Sequence, residues 1–227
     1  MPKIGAALIA ILMVAAARTA QAQEQTCAGA KYSDSHFHLT NYVQEGTRLQ
    51  DYLNMMGTAV CRSTVFGIPL QQMWQYGNSG EFTPTYYLQT DAPLYYYSFT
   101  YTATVMACKS LTPAPQARLH PMIIGFNPAD MYAADHIKRV LTIFPSVFSG
   151  IGEFSIHKEF VSPKMAGGNA TRTDQALHRI LDFAGEVGLV VIIHTDADDL
   201  FPKPGQGPYQ LKQLGELLRQ HPKTRII

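Results

Sequence analysis

One stretch, residues 175–194, constrains the fold more than any other. Leu177, Ile180, Leu181, Ala184 and Val187 recur at helical spacing behind Thr173 and Asp174, and Gly188 comes next as a natural stop. A helix with one apolar stripe that ends at glycine must lay that stripe on something. Immediately after the glycine, residues 189–194 make an unbroken apolar run closed by His194. A strand with no polar alternation is covered on both faces, which is the condition of a parallel sheet between helices. Parallel neighbours need crossover connections, and those run right-handed.

The same alternation extends in both directions. Residues 32–39, 60–68, 119–126 and 147–154 read as further strands, and residues 224–227 as the start of a sixth. Between them, helical spacing marks residues 48–56, 103–111, 130–144 and a leucine stripe at 211, 214, 217 and 218. The expected class is therefore α/β. No glycine-rich phosphate loop stands after the first strand, which weakens an open dinucleotide-binding sheet. Histidines at the ends of the first and fifth strands favour a (β/α)8 TIM barrel instead, whose chemistry sits at the strand C-termini. Only the first five to six βα units are present, and the stop at Ile227 inside a strand just begun predicts a barrel cut before its last units. There is no internal repeat and no low-complexity linker.

The N-terminus is expected to lie outside the fold. Lys3, an apolar run over residues 4–17 and the small-x-small triplet Ala20-Gln21-Ala22 have the form of a secretory signal peptide, residues 1–22. The run is short for a membrane span, so no stable membrane anchor is expected. Export to the periplasm or medium is then expected, with residues 23–227 as the partial barrel. Losing Lys3 and Arg18 from a chain with 18 basic and 17 acidic residues leaves a formal charge of −1. So balanced a charge has no footprint for nucleic acid, and a small-molecule substrate is the expected partner. Export permits one disulfide among Cys27, Cys61 and Cys108, and the odd count leaves one thiol free. Cys61 lies in an apolar strand-like run and reads as a buried inert thiol.

Three strand ends carry the chemistry. In Asp34-Ser35-His36-Phe37-His38, strand alternation puts both imidazoles on one face, with Asp34 beside them to orient one of them. In Ser149-Gly150-Ile151-Gly152-Glu153-Phe154, glycines that allow close backbone approach precede Glu153. His194 closes the fifth strand. Singly, each has a bland reading: a chance H-x-H, a rim ion pair of Glu153 with Lys158, a satisfied core histidine. Together, each at a strand end, they are a candidate site for a divalent metal, zinc first, with manganese, iron or cobalt also suited to nitrogen and oxygen donors.

This pattern resembles the amidohydrolase superfamily, (β/α)8 barrels holding one or two divalent metals at the strand C-termini. The resemblance spans the chain from Asp34 to the last helix. It implies His36, His38 and His194 as ligands, with Glu153 in the place of the strand-four carboxylate of some branches, notably TatD-type nucleases. Glu153 and His194 are then the expected catalytic residues. The family's histidine after strand six and aspartate after strand eight have no counterpart within residues 1–227. The implied activity is hydrolysis of an amide, lactone, ester or related bond through a metal-activated water. The alternatives are a TatD-like phosphoesterase, and a non-catalytic periplasmic protein that binds metal or ligand without turnover.

Other residues are weighed by position. His157 and Lys158 come directly after the fourth strand and are candidates for binding an anionic group of the substrate. His120 stands at the start of the third strand and reads as structural, and His136, His178 and His221 as surface residues. Residues 69–101, crowded with aromatics from Trp74 to Tyr101, form an insertion after strand two that is expected over the mouth of the barrel.

Overall fold

The computed structural model describes Cys27 and residues 29–158, 160–199 and 201–227; the expected signal peptide, 1–22, lies outside the described residues. Six strands form one parallel sheet in the order β1 (Tyr32–His38), β2 (Val60–Phe66), β5 (Leu119–Ile123), β6 (Gly150–His157), β7 (Val190–Thr195) and β8 (Arg225–Ile226). Every pair in it is parallel. The long helices α1 (Leu49–Met56), α2 (Phe99–Lys109), α3 (Ala133–Ile143), α4 (Gln175–Val187) and α5 (Tyr209–Gln220) fill the crossovers. This is the alternation expected from the sequence.

The sheet is curled into a half-barrel. Three ladder steps of about 4.8 Å separate β1 from β6, roughly 14 Å in a flat sheet. Yet His36 and His38 of β1 reach Glu153 of β6 within 3.2 Å, so the strands must bend round to face one another.

The expected apolar stripes are what the helices bury. α1 turns Leu49, Tyr52, Leu53 and Met56 inward, and α4 turns Ala176, Leu177, Ile180, Leu181 and Ala184. Val187, expected in that stripe, is exposed at the last turn, where Gly188 takes the left-handed conformation (φ 74°) that ends the helix. The larger core lies between β5–β7 and α3–α4, around Ile137, Ile151, Phe154, Leu177 and Ile180. A smaller one joins β1 and β2 to α1 and to Cys108 of α2. Phe66, Met122, Ile124 and Ile192 form a third, smaller cluster.

The insertion is more ordered than a loop. Leu70–Gln72 (β3) and Leu94–Tyr96 (β4) pair antiparallel, and Leu94 also bridges to Met165 in the segment after β6. Tyr42, Leu70, Tyr87, Leu94, Val161 and Met165 bury one another, so the segments after β1, β2 and β6 share a small core of their own. Lys164 ties them further, donating to the carbonyls of Tyr87 and Thr90.

Two expectations about single residues are corrected. Cys61 is not a free thiol: it is bonded to Cys27, with Cα atoms 4.9 Å apart, and the buried free thiol is Cys108. Burial pushes the Cys108 thiol up to about 12. His221, expected at the surface, is buried, because its ring is clamped between Asp182 Oδ1 at 2.9 Å and His178 Nδ1 at 2.6 Å. His120 is structural as expected, its Nδ1 3.1 Å from Ser149 Oγ.

Candidate metal centre

Local geometry explains why these four residues meet. His36 and His38 both turn to the concave side of β1, and their rings stand edge-on to the fully buried Phe66 of β2, with centroids 5.1 and 4.7 Å away. Glu153 lies within β6 rather than at its end, since pairing with β7 carries the strand on to His157. The glycines before it permit that pairing. A Cβ on Gly152 would lie 2.2 Å from the Ile192 carbonyl oxygen, and one on Gly150 would lie 2.4 Å from that of Val190. Gly152 also has φ +112°, a conformation that side-chain-bearing residues rarely adopt.

The result is one carboxylate held by three imidazoles. Glu153 Oε2 is 3.2 Å from His36 Nε2 and 3.0 Å from His38 Nε2, and those two nitrogens are 3.1 Å apart. The other oxygen, Oε1, is 2.5 Å from Nδ1 of His194. Glu153 is buried while His36 is exposed, so the centre sits in the floor of a cleft. Burial alone would raise the Glu153 pKa, but hydrogen bonds from His194 and His38, and their charge, hold the carboxyl well below the usual range.

The donor set fits a divalent cation. His36, His38 and Glu153 are a group of metal-binding type whose ligand atoms lie within 4.8 Å of one another. Their separations of 3.0–3.2 Å are near the edge of a tetrahedron, about 3.3 Å for bonds of about 2.0–2.1 Å. His194 is brought to the same carboxylate but to its other oxygen, outside that compact set.

Asp34 is placed differently from its expectation. Pairing with β2 is irregular between Asp34 and Phe37, so strict alternation fails across this stretch. Asp34 Oδ2 therefore accepts from the hydroxyl of Tyr52 on α1, at 3.0 Å, and Oδ1 from the main-chain N–H of His36, at 2.9 Å. It braces the strand backbone and does not bond an imidazole ring. Phe37 stacks on the same Tyr52 at 3.5 Å, which seats the strand on α1.

A cavity of about 140 Å³ opens beside the four residues, walled by Tyr42, Ile68, Pro69 and Leu70, with Ser155 and Lys158 on the β6 side. Lys158 is thus where the sequence placed it, at the cavity; His157, one residue before, does not line it. Sequence reasoning missed Tyr42 and Ser155. Ser155 had a signal, since it lies two residues beyond Glu153 on one strand face; Tyr42 had none, since its place depends on the loop after β1. Burial first, then the neighbouring Tyr87, Tyr86 and Glu153, pushes the Tyr42 hydroxyl well above its ordinary pKa.

No family model and no curated protein matches this sequence. Among solved structures, the chain is similar to dihydroorotase from Campylobacter jejuni, with 13% identity and a TM-score of 0.41 over 87% of this chain and 46% of that one. The chain therefore spans less than half the length of that enzyme.

Proposed function

We propose that this chain carries the metal centre of a hydrolase built on a (β/α)8 barrel plan, of which it holds the first five to six units. The observation that carries the reading is the convergence of three imidazoles from two distant strands on the two oxygens of one buried carboxylate. His36, His38 and Glu153 would hold a divalent ion, zinc first, with manganese, iron or cobalt also suited to the donors. When bound, such an ion supplies Lewis acidity and a water acidified to a pKa of about 7.

The chain's own residues do the rest. Glu153 stays ionised despite burial because the histidines hydrogen-bond its charged form, and an ionised carboxylate is what a cation needs. His194 Nδ1 holds the other oxygen and so fixes the carboxylate plane. Its second ring nitrogen is then free to take a proton from, or return one to, the reacting group. The apolar wall of Tyr42, Ile68, Pro69 and Leu70 excludes water from one side of the reacting bond. That bond is an amide, lactone, ester or related linkage.

The signal-peptide pattern of residues 1–22 supports a place in the periplasm or medium, and the Cys27–Cys61 disulfide fits an oxidising compartment. Equilibrium dialysis against zinc, then a screen of lactone, ester and amide substrates, tests the reading. Bound zinc with turnover that a chelator abolishes supports it. Bound zinc without turnover leaves a metal-binding protein, and no zinc retained above that of a His36→Ala/His38→Ala variant sinks both. One ion per chain would be held by His36, His38 and Glu153, whereas a second would draw on His194 as a further donor.

A further inference from the structure

The cavity carries a second chemistry, separate from the metal donors. Lys158 is its one lysine or arginine, and among the described residues its ammonium has no ion pair; its one side-chain contact is the face of Tyr87, 5.5 Å away. Lys164, six residues on, shows the ordinary fate of a lysine in this loop: two carbonyls take its hydrogens and Asp91 lies 3.8 Å away. Nor is Lys158 the partner of Glu153, whose oxygens are taken by three histidines.

The backbone that presents Lys158 is built, not loose. Its N–H donates to Ser162 Oγ at 3.0 Å, and its carbonyl accepts from the N–H groups of Val161 and Ser162. Asn169 ties Ser162 Oγ back to the Ile156 carbonyl of β6, at 3.0 and 2.9 Å. Among the described residues, a half-buried cation is thus held at a cavity with no carboxylate paired to it, and such a charge calls for an anion from the ligand.

Size and charge narrow the class. The cavity measures about 140 Å³, on the scale of the roughly 150 Å³ void that takes one benzene ring. Its wall of Tyr42, Ile68, Pro69 and Leu70 is apolar. One ammonium balances one negative charge, whereas a phosphate dianion is usually met by several donors or an arginine fork. We infer that Lys158 anchors the carboxylate of a small substrate with a ring-sized apolar body, leaving its scissile bond over the histidine–glutamate centre. The inference rests on the hydrolase reading for what happens to that bond, but the carboxylate subsite stands on its own geometry.

Benzoate and its neutral analogue benzamide are the probes. Both are titrated by calorimetry into chelator-treated protein, as wild type, Lys158→Met and Lys158→Arg. The expected result is benzoate bound at least ten-fold more tightly than benzamide by the wild type, a preference lost in Lys158→Met and kept in Lys158→Arg. Equal binding of the two probes, no binding of benzoate, or a preference that survives Lys158→Met overturns the inference. A zinc titration of the same wild-type sample reads the metal centre separately. Zinc without benzoate preference fails the subsite alone, and benzoate preference without zinc fails the hydrolase alone.

Discussion

The two arms that meet at Glu153 are built in opposite ways. β6 and β7 lie inside the sheet, with Ile151, Phe154, Ile156 and Val191 almost fully buried and glycines letting the two backbones touch. β1 is an edge strand: Tyr32, Ser33, Ser35 and His36 are exposed, and its ladder to β2 is irregular. One arm takes its position from packing. The other takes it from braces, namely Asp34 to Tyr52, Phe37 on Tyr52, and the disulfide from Cys27 to Cys61 of β2. A site can thus be precise on an exposed strand if that strand is tied at several points rather than buried.

The contrast breaks most visibly at Gly152. Gly152→Ala drives a Cβ into the Ile192 carbonyl at 2.2 Å and forces φ +112° on alanine, for a combined loss of about 4 kcal/mol. Ser33→Ala on the exposed edge changes stability by less than about 0.5 kcal/mol. Urea unfolding of both variants checks this, and a Gly152→Ala as stable as Ser33→Ala would refute the packed-arm account. The braces come next. Cys27→Ser opens a loop of 34 residues and costs about 4 kcal/mol, with hydrogen exchange rising first in β1 and β2.

Metal affinity separates the arms at finer grain. His36→Ala removes a direct donor and lowers zinc affinity about 100-fold, whereas His194→Ala, acting through the carboxylate, lowers it about 10-fold. Competition titration with a chromophoric chelator reads both, and the reverse order would move the ion to the His194 side. The smallest effect is on pH dependence. Burial, as the first cause, lowers the pKa of His120, His136 and His178 below the ordinary 6.5. A depressed folded pKa means the neutral form is preferred, so their contribution is complete above pH 6.5 and declines as pH falls below it. Glu153, also depressed, adds its own loss only below the carboxylate range. Melting temperature should therefore fall in two stages from pH 7 to pH 3; a flat profile between pH 7 and 5 would contradict the histidine shifts.

Periodicity made the parallel sheet legible, because each strand and helix of the main fold buries a face whose spacing shows in the sequence. The same rule puts the two β1 histidines on one face, whereas Glu153, expected at a strand end, lies inside β6 because the pairing with β7 runs on to His157. It failed where position depends on contacts between distant segments. Asp34 was assigned to the wrong face because an irregular ladder leaves no mark in residue order. Cys61 was read from its apolar neighbours, although its partner stands 34 residues away. His221 was read as a helix-end surface residue, but Asp182 and His178 arrive beside it only in the folded chain. The β3–β4 pair went unseen because two three-residue strands carry too little alternation to register.

The curl of the sheet has a consequence of its own. The carboxylate–imidazole contacts join strands three places apart, so they act as a chord across the arc, beside the small core that the segments after β1, β2 and β6 share. An ion seated on that chord would hold the span and set the radius of the whole bowl. Loading it should shrink the envelope measured by small-angle scattering and slow the breathing of β1, well beyond the residues that touch it.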